Sequence, residues 1–274
     1  MIEYQKILSV LGLDNRIIDC ANGRLSCPIA GVEVPPYWYG YPPALIPIWS
    51  QGASPKYFGV WKHWFVKREQ TYVEMFISAD RLTSEIARTP EQFLCFAVIS
   101  AIVEQDGINN EIESFCRSAK IDNLEEIDRI TLEFGDNPSG FIGLEQFKEK
   151  IPLNSISNTM LYSGDFPFIG SDGALINYET CTEFEMDRDI VRDKSINMDF
   201  PEWLASGASK LYIFDKYVSE GEFGRAWLSL NSRGWSIADA RVALTRLAES
   251  SGDLDFNCLA SACLSVADLS AGGY

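Results

Sequence analysis

The chain has 274 residues, with 39 acidic and 23 basic side chains and one histidine, so its formal net charge is −16 at pH 7. Such a charge repels the phosphate groups of nucleic acids and of anionic membranes, and we expect neither as a partner. The single histidine, His63, excludes any catalytic or metal site that requires two histidines. The length fits one large domain or two domains of modest size.

No segment predicts secretion or membrane insertion. Glu3 and Lys6 interrupt the apolar pattern at the N-terminus, where a secretory signal carries a basic start and then an uninterrupted apolar stretch. The longest apolar run, residues 93–103, is too short to cross a bilayer. The seven cysteines are odd in number, and several fall on apolar positions of predicted helices, which favours buried, reduced thiols. We therefore expect a cytoplasmic protein.

The first 77 residues predict one helix and then a sheet. A helix is expected over residues 2–13, with Gly12 and Asp14 at its end. The following text is rich in proline, glycine and aromatic residues. Three of its short apolar runs are typical of strands joined by turns, and the simplest arrangement for them is an antiparallel meander. These runs are residues 44–49, 57–66 and 71–77.

Helices are predicted next. Thr89, Pro90 and Gln92 supply a hydroxyl cap, a proline at the first helical position and a glutamine at the third, which together mark a helix start. Apolar residues then recur at helical spacing up to Ile102. Glycine and Asn/Asp breaks separate three further short helices, which are expected around Ile112, Leu124 and Leu144.

Between Pro152 and Pro201 the helical periodicity fails, and we expect short strands and loops. Residues 180–190 alternate acidic with apolar side chains, as a half-buried strand with an acidic outer face does. Side chains at two-residue steps lie in a row, so we interpret the acids as a solvated or partner-binding ridge, with calcium or magnesium ligation as the alternative. The acids are Glu183, Glu185, Asp187 and Asp189.

The last seventy residues trace four apolar stripes at helical spacing, with Ser236 and Asp253 as helix caps, and we expect the tail from Leu269 to fray. The predicted fold is α+β: an antiparallel, β-rich N-terminal part followed by helices, with an all-α C-terminal bundle. We divide the chain into an α+β domain over residues 1–200 and a helical subdomain over residues 201–274. The acidity belongs to the later part, because residues 1–76 carry +1 and the remainder −17.

Ten of the chain's 34 aromatic residues lie between positions 37 and 65. They could fill a sheet core or form an exposed contact surface. The proline-flanked loop at 37–41 is least like a strand, and it is our first candidate for partner contact, through Tyr37, Trp38, Tyr39 and Tyr41. Nearby basic residues are interpreted as a solvated strand edge or as a clamp for an anion or a base. They are Lys62, His63, Lys67 and Arg68.

Catalysis finds little support in the residues. The chain lacks the cysteine and histidine spacings of zinc sites, the nucleophile elbow and the glycine-rich phosphate loops, so no cofactor, metal or catalytic residue is assigned. Abundant carboxylates beside tryptophans leave a carbohydrate-active hydrolase as an alternative, with a cleft lined by Trp49, Trp61 or Trp64. A non-catalytic adaptor that docks through its helical end is a further alternative.

Residues 43–77 resemble the central stretch of the SMI1/KNR4 (SUKH) superfamily. The resemblance rests on Leu45-Ile46-Pro47-Ile48, a turn with Gly52 and the aromatic strand from Tyr57 to Trp61. It implies an α+β domain that binds protein partners, often as an immunity protein that blocks a bacterial toxin. An acidic composition suits neutralisation of a basic toxin, because complementary charge speeds encounter. We therefore expect an immunity protein that binds and neutralises a cognate toxin.

Overall fold

The computed structural model describes residues 7–34, 40–52, 56–66, 70–77, 82–155, 202–204, 207–267 and 272–274. Within these residues a sheet in the N-terminal half is followed by helices, and further helices end the chain, so the predicted α+β class is confirmed. No helix in these ranges is long and apolar enough to span a bilayer.

The sheet has five antiparallel strands in the order of the chain, as the predicted meander requires. Its strands are β1 Val32–Glu33, β2 Leu45–Gln51, β3 Lys56–Trp61, β4 Thr71–Phe76 and β5 Leu82–Ala87. Two predictions need correction. Strand β5 was not expected, because its sequence LTSEIA is half polar. The strand predicted over 57–66 ends at Trp61, since residues 62–66 leave the sheet to contact the C-terminal helices.

Four α-helices of the first half lie wholly within the described ranges. They are α1 Asn15–Ala21, α2 Pro90–Gln105, α3 Asn110–Ala119 and α4 Leu124–Phe134. Of the helix predicted over 2–13, residues 7–10 are helical and residues 1–6 lie outside the described ranges. Asp14, expected to end that helix, also begins α1, where its side chain accepts a hydrogen bond from Arg16 N. The helix expected around Leu144 is a pair of 3-10 turns, Pro138–Gly143 and Glu145–Phe147.

Helix α2 covers one face of the sheet through aromatic contacts. The ring of Phe93 stacks on Trp49 and Tyr72, at centroid distances of 5.3 and 4.9 Å. Thr89 caps the helix as predicted, its hydroxyl accepting a 3.2 Å hydrogen bond from Gln92 N. The buried Gln92 side chain accepts from Arg88 N and donates to the carbonyl of Gln146, so the helix start is fixed to the segment after α4.

All four predicted C-terminal helices are present, and Ser236 and Asp253 cap α7 and α8 as expected. The helices are α5 Lys210–Ser219, α6 Phe223–Leu230, α7 Ile237–Ser251 and α8 Leu254–Ser265. Their core is continuous with that of the sheet. The Ala44 amide donates a buried 2.6 Å hydrogen bond to Asn231 Oδ1. The boundary predicted between residues 200 and 201 lies outside the described ranges.

The tail does not fray at its end, contrary to our expectation. Tyr274 is only 3% exposed, and its hydroxyl donates a 2.8 Å hydrogen bond to the Leu230 carbonyl. Its amide donates to Trp235 O, and its main-chain oxygen accepts from Gly234 N and Trp235 N. The aromatic ring fills a site in the helical core, and its burial offsets the entropy lost on ordering these residues.

Gly59 provides a test of the central strand. A Cβ atom there would overlap the Ile46 carbonyl group and lie 2.9 Å from Leu45 Cδ1. We expect Gly59→Ala to lower the free energy of unfolding by about 1–3 kcal/mol, because strands β2 and β3 must move apart. Gly52→Ala, at a turn with open space around it, is the matched control and should change stability by less than about 0.5 kcal/mol. Urea unfolding followed by tryptophan fluorescence measures both, and equal losses would contradict the expectation.

Candidate functional site

Most of the predicted contact residues lie outside the described ranges. These are Tyr37, Trp38 and Tyr39 of the loop, and Glu183, Glu185, Asp187 and Asp189 of the acidic row. Tyr41 is described, and it is 1% exposed, with its ring 4.7 Å from that of Tyr57 in an edge-to-face contact. Since so buried a side chain offers no surface to a partner, Tyr41 is assigned to the core.

The aromatic cluster packs the core wherever it is described. Trp49, Tyr57, Phe58 and Trp61 are buried, and Trp64 is 8% exposed. An open cleft lined by several tryptophans, which a carbohydrate-active hydrolase would use, does not form among these residues. The core interpretation therefore holds for the described part of the cluster.

Several described thiols are buried and unreactive, and no metal site forms among the described residues. Burial raises the pKa of Cys116 to about 11 and those of Cys27 and Cys263 to about 12. These thiols stay protonated at neutral pH and are poor nucleophiles. No group of three His, Cys, Asp or Glu side chains in the described ranges could hold a metal ion.

The acidity is concentrated in one described segment. Residues 104–136 contain ten acids and three bases, a net charge of −7, whereas residues 207–274 contain eight acids and six bases, a net charge of −2. The C-terminal helices therefore carry only a small share of the acidity of the later part of the chain. The other acidic stretch, residues 156–200, carries −6 and lies outside the described ranges.

Amphipathic packing places these acids on the surface. Helices α3 and α4 bury their apolar sides against α2, so the opposite sides face solvent. Eight of the ten acids are exposed and two are half-buried. We call this set the α3–α4 acidic surface; it comprises Glu104, Asp106, Glu111, Glu113, Asp122, Glu125, Glu126, Asp128, Glu133 and Asp136.

Few of these acids are neutralised. Within the described ranges only Glu113 and Glu133 have ion-pair partners, Arg117 at 3.6 Å and Arg129 at 3.7 Å. Leu132 stands beside Glu133 on the solvent side of α4 and is 81% exposed. The acidic surface therefore combines unpaired carboxylates with an exposed apolar side chain.

A pocket of about 290 Å³ lies where residues 62–65 meet the start of helix α8. Trp64 Nε1 donates to Asp253 Oδ2 at 3.3 Å, and Asp253 Oδ1 accepts from Phe256 N at 2.9 Å to cap the helix. The lining residues come from three distant parts of the chain: Val10, Leu11, Lys62, His63, Trp64, Phe65, Asp253 and Asp255.

The basic residues predicted at a solvated edge have a different setting here. His63 is only 3% exposed, and Lys62 is half-buried with its Nζ 5.5 Å from the Trp64 ring centroid. Burial lowers the pKa of Lys62 because the charged ammonium loses hydration. Lys67 and Arg68 lie outside the described ranges. An exposed strand edge therefore does not describe Lys62 and His63.

Phe65, which also lines the pocket, has an unusual backbone conformation. Its φ of 64° is in the left-handed region, which a bulky side chain rarely adopts. The ring lies 4.9 Å from Phe256 and 5.8 Å from Phe223. These ring contacts offset the backbone strain, so the conformation is held by docking of the loop on the C-terminal helices.

A shallow groove of about 660 Å³ runs along α7. Val242 is exposed in it, between Arg241 and Arg246, and Leu264 of helix α8 forms the other side. Arg246 pairs with Asp215 of helix α5 at 2.5 Å, so part of its charge is already used within the fold. This groove is the described feature that an adaptor docking through its helical end would use.

The double role of Asp253 can be tested by substitution. We expect Asp253→Ala to cost about 1–2 kcal/mol of stability, because the helix cap and the acceptor for Trp64 are both lost. Asp253→Asn should cost less than Asp253→Ala, because its single amide oxygen can replace Oδ1 and keep the helix cap on Phe256 N, while the hydrogen bond from Trp64 is lost. Urea unfolding of the two variants checks this, and equal losses would show that the negative charge, not the hydrogen-bond geometry, stabilises the helix start.

Comparison of the chain with protein families, with curated proteins and with solved structures gives no match.

Proposed function

We propose that the protein is an immunity protein, which binds a cognate protein toxin and neutralises it by surface contact. The observation that supports this most is the α3–α4 acidic surface, which has a net charge of −7 and two ion pairs. Carboxylates left without partners repel one another, so they lower the stability of the isolated protein. A basic partner surface removes that repulsion on binding.

The chemistry of the surface selects the partner class. Ionised carboxylates only accept hydrogen bonds, and Lys and Arg side chains donate charge-assisted ones. Unpaired charges at an interface mainly raise the association rate and exclude wrong partners, while buried apolar anchors supply affinity. Among the described residues of this surface, Leu132 is the most exposed apolar side chain. A basic protein with a shallow apolar depression therefore fits it.

The predicted contacts outside the described ranges remain part of the proposal. The loop residues Tyr37, Trp38 and Tyr39, and the acidic row from Glu183 to Asp189, would extend the same mode of binding. That row lies in the second acidic stretch, whose charge has the same sign as that of the α3–α4 surface. Both stretches therefore favour the same class of basic partner.

The hydrolase alternative receives less support. Trp64 and two carboxylates do meet at the pocket, which is the combination that this alternative needs. However, Asp253 accepts two hydrogen bonds, one of which caps helix α8, and Trp49 and Trp61 are core residues. A pair of free carboxylates beside an open aromatic platform is thus lacking among the described residues.

Charge reversal at the end of α4 tests the proposed surface. Glu133→Lys combined with Asp136→Lys should weaken toxin binding at least about tenfold and reduce its salt dependence, because both charges face the partner. Lysine is compatible with this position, because a positive charge near the C-terminus of a helix interacts favourably with the helix dipole. The toxin used is the product of the gene adjacent to that of this chain, and affinity is measured by calorimetry at low and high salt.

The matched control is Glu220→Lys combined with Glu249→Lys, two exposed acids on the C-terminal helices. This variant changes the net charge by the same amount but leaves the α3–α4 surface intact. If both double variants lose affinity equally, the loss reflects the change in net charge, and the α3–α4 acidic surface is not the contact. Unchanged affinity in both would also contradict the proposal.

Leu132 supplies a second test. Leu132→Ala removes an exposed side chain from a helix, where alanine is the better helix former, so stability should stay within about 0.5 kcal/mol. Binding should weaken by about 1–2 kcal/mol if the leucine is buried in the complex. Val242→Ala, an exposed apolar residue on α7, is the control; if that variant lost affinity instead, the groove of the adaptor alternative would be the contact.

A further inference from the structure

The pocket at the start of helix α8 is lined by opposite charges that form no ion pair with each other. Residues 62–65 form one wall, the first turn of α8 another, and Val10 and Leu11 a third. The volume of about 290 Å³ is at the small end of ligand pockets in proteins. Such a volume suits a molecule of metabolite size.

The ammonium group of Lys62 lines this pocket and forms no ion pair with a described residue. This group lies over the Trp64 ring and has no hydrogen-bond acceptor or carboxylate partner among the described residues. Half of the lysine is buried, and burial lowers its pKa. Three N–H donors that are partly removed from water favour an anionic ligand group, such as a carboxylate.

The carboxylate of Asp255 lines the same pocket. Asp255 is exposed in the first turn of α8, and its carboxylate accepts no hydrogen bond and forms no ion pair with a described residue. Asp253, two residues earlier, is fully engaged with Trp64 and the helix start. The free carboxylate of the pocket is therefore that of Asp255.

These two charges line one pocket without meeting. Lys62 and Asp255 form no ion pair within 4.0 Å. Elsewhere, opposite charges on neighbouring elements do pair, as in Lys56 with Glu74 at 3.1 Å and Lys216 with Glu202 at 2.9 Å. A ligand with both charges can bridge the gap, with its carboxylate on Lys62 and its ammonium on Asp255.

We propose that this pocket binds a small zwitterion of the free α-amino acid class. The amino acid carboxylate accepts hydrogen bonds from Lys62 Nζ, its ammonium group donates to Asp255, and its side chain contacts Trp64 and Leu11. The site uses none of the residues of the α3–α4 acidic surface. It goes beyond the proposed function and does not depend on it, so toxin binding and amino acid binding can fail separately.

The experiment uses the full chain with L-alanine, L-leucine and L-phenylalanine as probes. Binding is measured by calorimetry and by the rise in Tm on adding each probe, because a ligand of the folded state stabilises it. Propionate and ethylamine carry the same charges singly. We expect at least one amino acid to bind, and both single-charge compounds to bind at least about tenfold more weakly, since each loses one charged contact.

Two variants identify the site. Lys62→Met keeps the length of the side chain and Asp255→Asn keeps its shape, so both should fold, as the near-ultraviolet circular dichroism of each variant will show. Each should weaken amino acid binding at least about tenfold. Lys148→Met and Glu149→Gln, at exposed positions away from the pocket and from the α3–α4 acidic surface, are the controls and should bind as the unchanged protein does.

Three results would overturn the proposal. They are no binding of any of the three amino acids, equal binding of propionate, and amino acid binding that survives in both Lys62→Met and Asp255→Asn. If either pocket variant fails to fold, the comparison of amino acids with propionate and ethylamine on the unchanged protein still decides the question.

Discussion

The packing of Phe256 joins the sheet to the C-terminal helices, and the geometry of the pocket depends on it. Its ring lies 4.9 Å from Phe65, 5.6 Å from Trp64 and 5.3 Å from Trp227. Phe65 reaches this contact because strand β3 ends at Trp61 and because the φ angle of Phe65 itself is positive. Asp253 then reaches Trp64, and residues 62–65 face the first turn of helix α8.

The same packing explains where charge can accumulate. The C-terminal helices are buried against one another and against the sheet, and some of their charges are paired, as in Arg246 with Asp215 and Arg225 with Glu222. Helices α3 and α4 cover α2 from the outside, so a whole side of each is free to be acidic. Their repulsion is tolerated because solvent and salt screen exposed charges.

The sequence correctly predicted several elements that local chemistry decides, although helix α1, which Asp14 caps, was not predicted. Thr89, Ser236 and Asp253 cap the helices that their hydroxyl or carboxylate groups predicted, and apolar periodicity located the four C-terminal helices. Strand β5 was not predicted, because it is stabilised by pairing with β4 and not by its own half-polar sequence. The pocket was not predicted either, because Trp64 and Asp253 are 189 residues apart and no local sequence pattern connects them.

Whether a charged side chain has a partner within the fold separates structural roles from binding roles in this protein. Asp253 accepts two hydrogen bonds, so its contribution is accounted for by stability. Asp255 and Lys62 form no ion pair with a described residue. Within the fold, Asp255 interacts with the helix dipole in the first turn of α8, and the ammonium group of Lys62 lies over the Trp64 ring. Burial of Lys62 lowers its pKa, because the ammonium group loses hydration. Exposed charges that lack an ion pair are hydrated, and a ligand of opposite charge can stabilise them further on binding. The pocket at α8 and the acids of α3 and α4 share this property, although the two sites call for ligands of very different size.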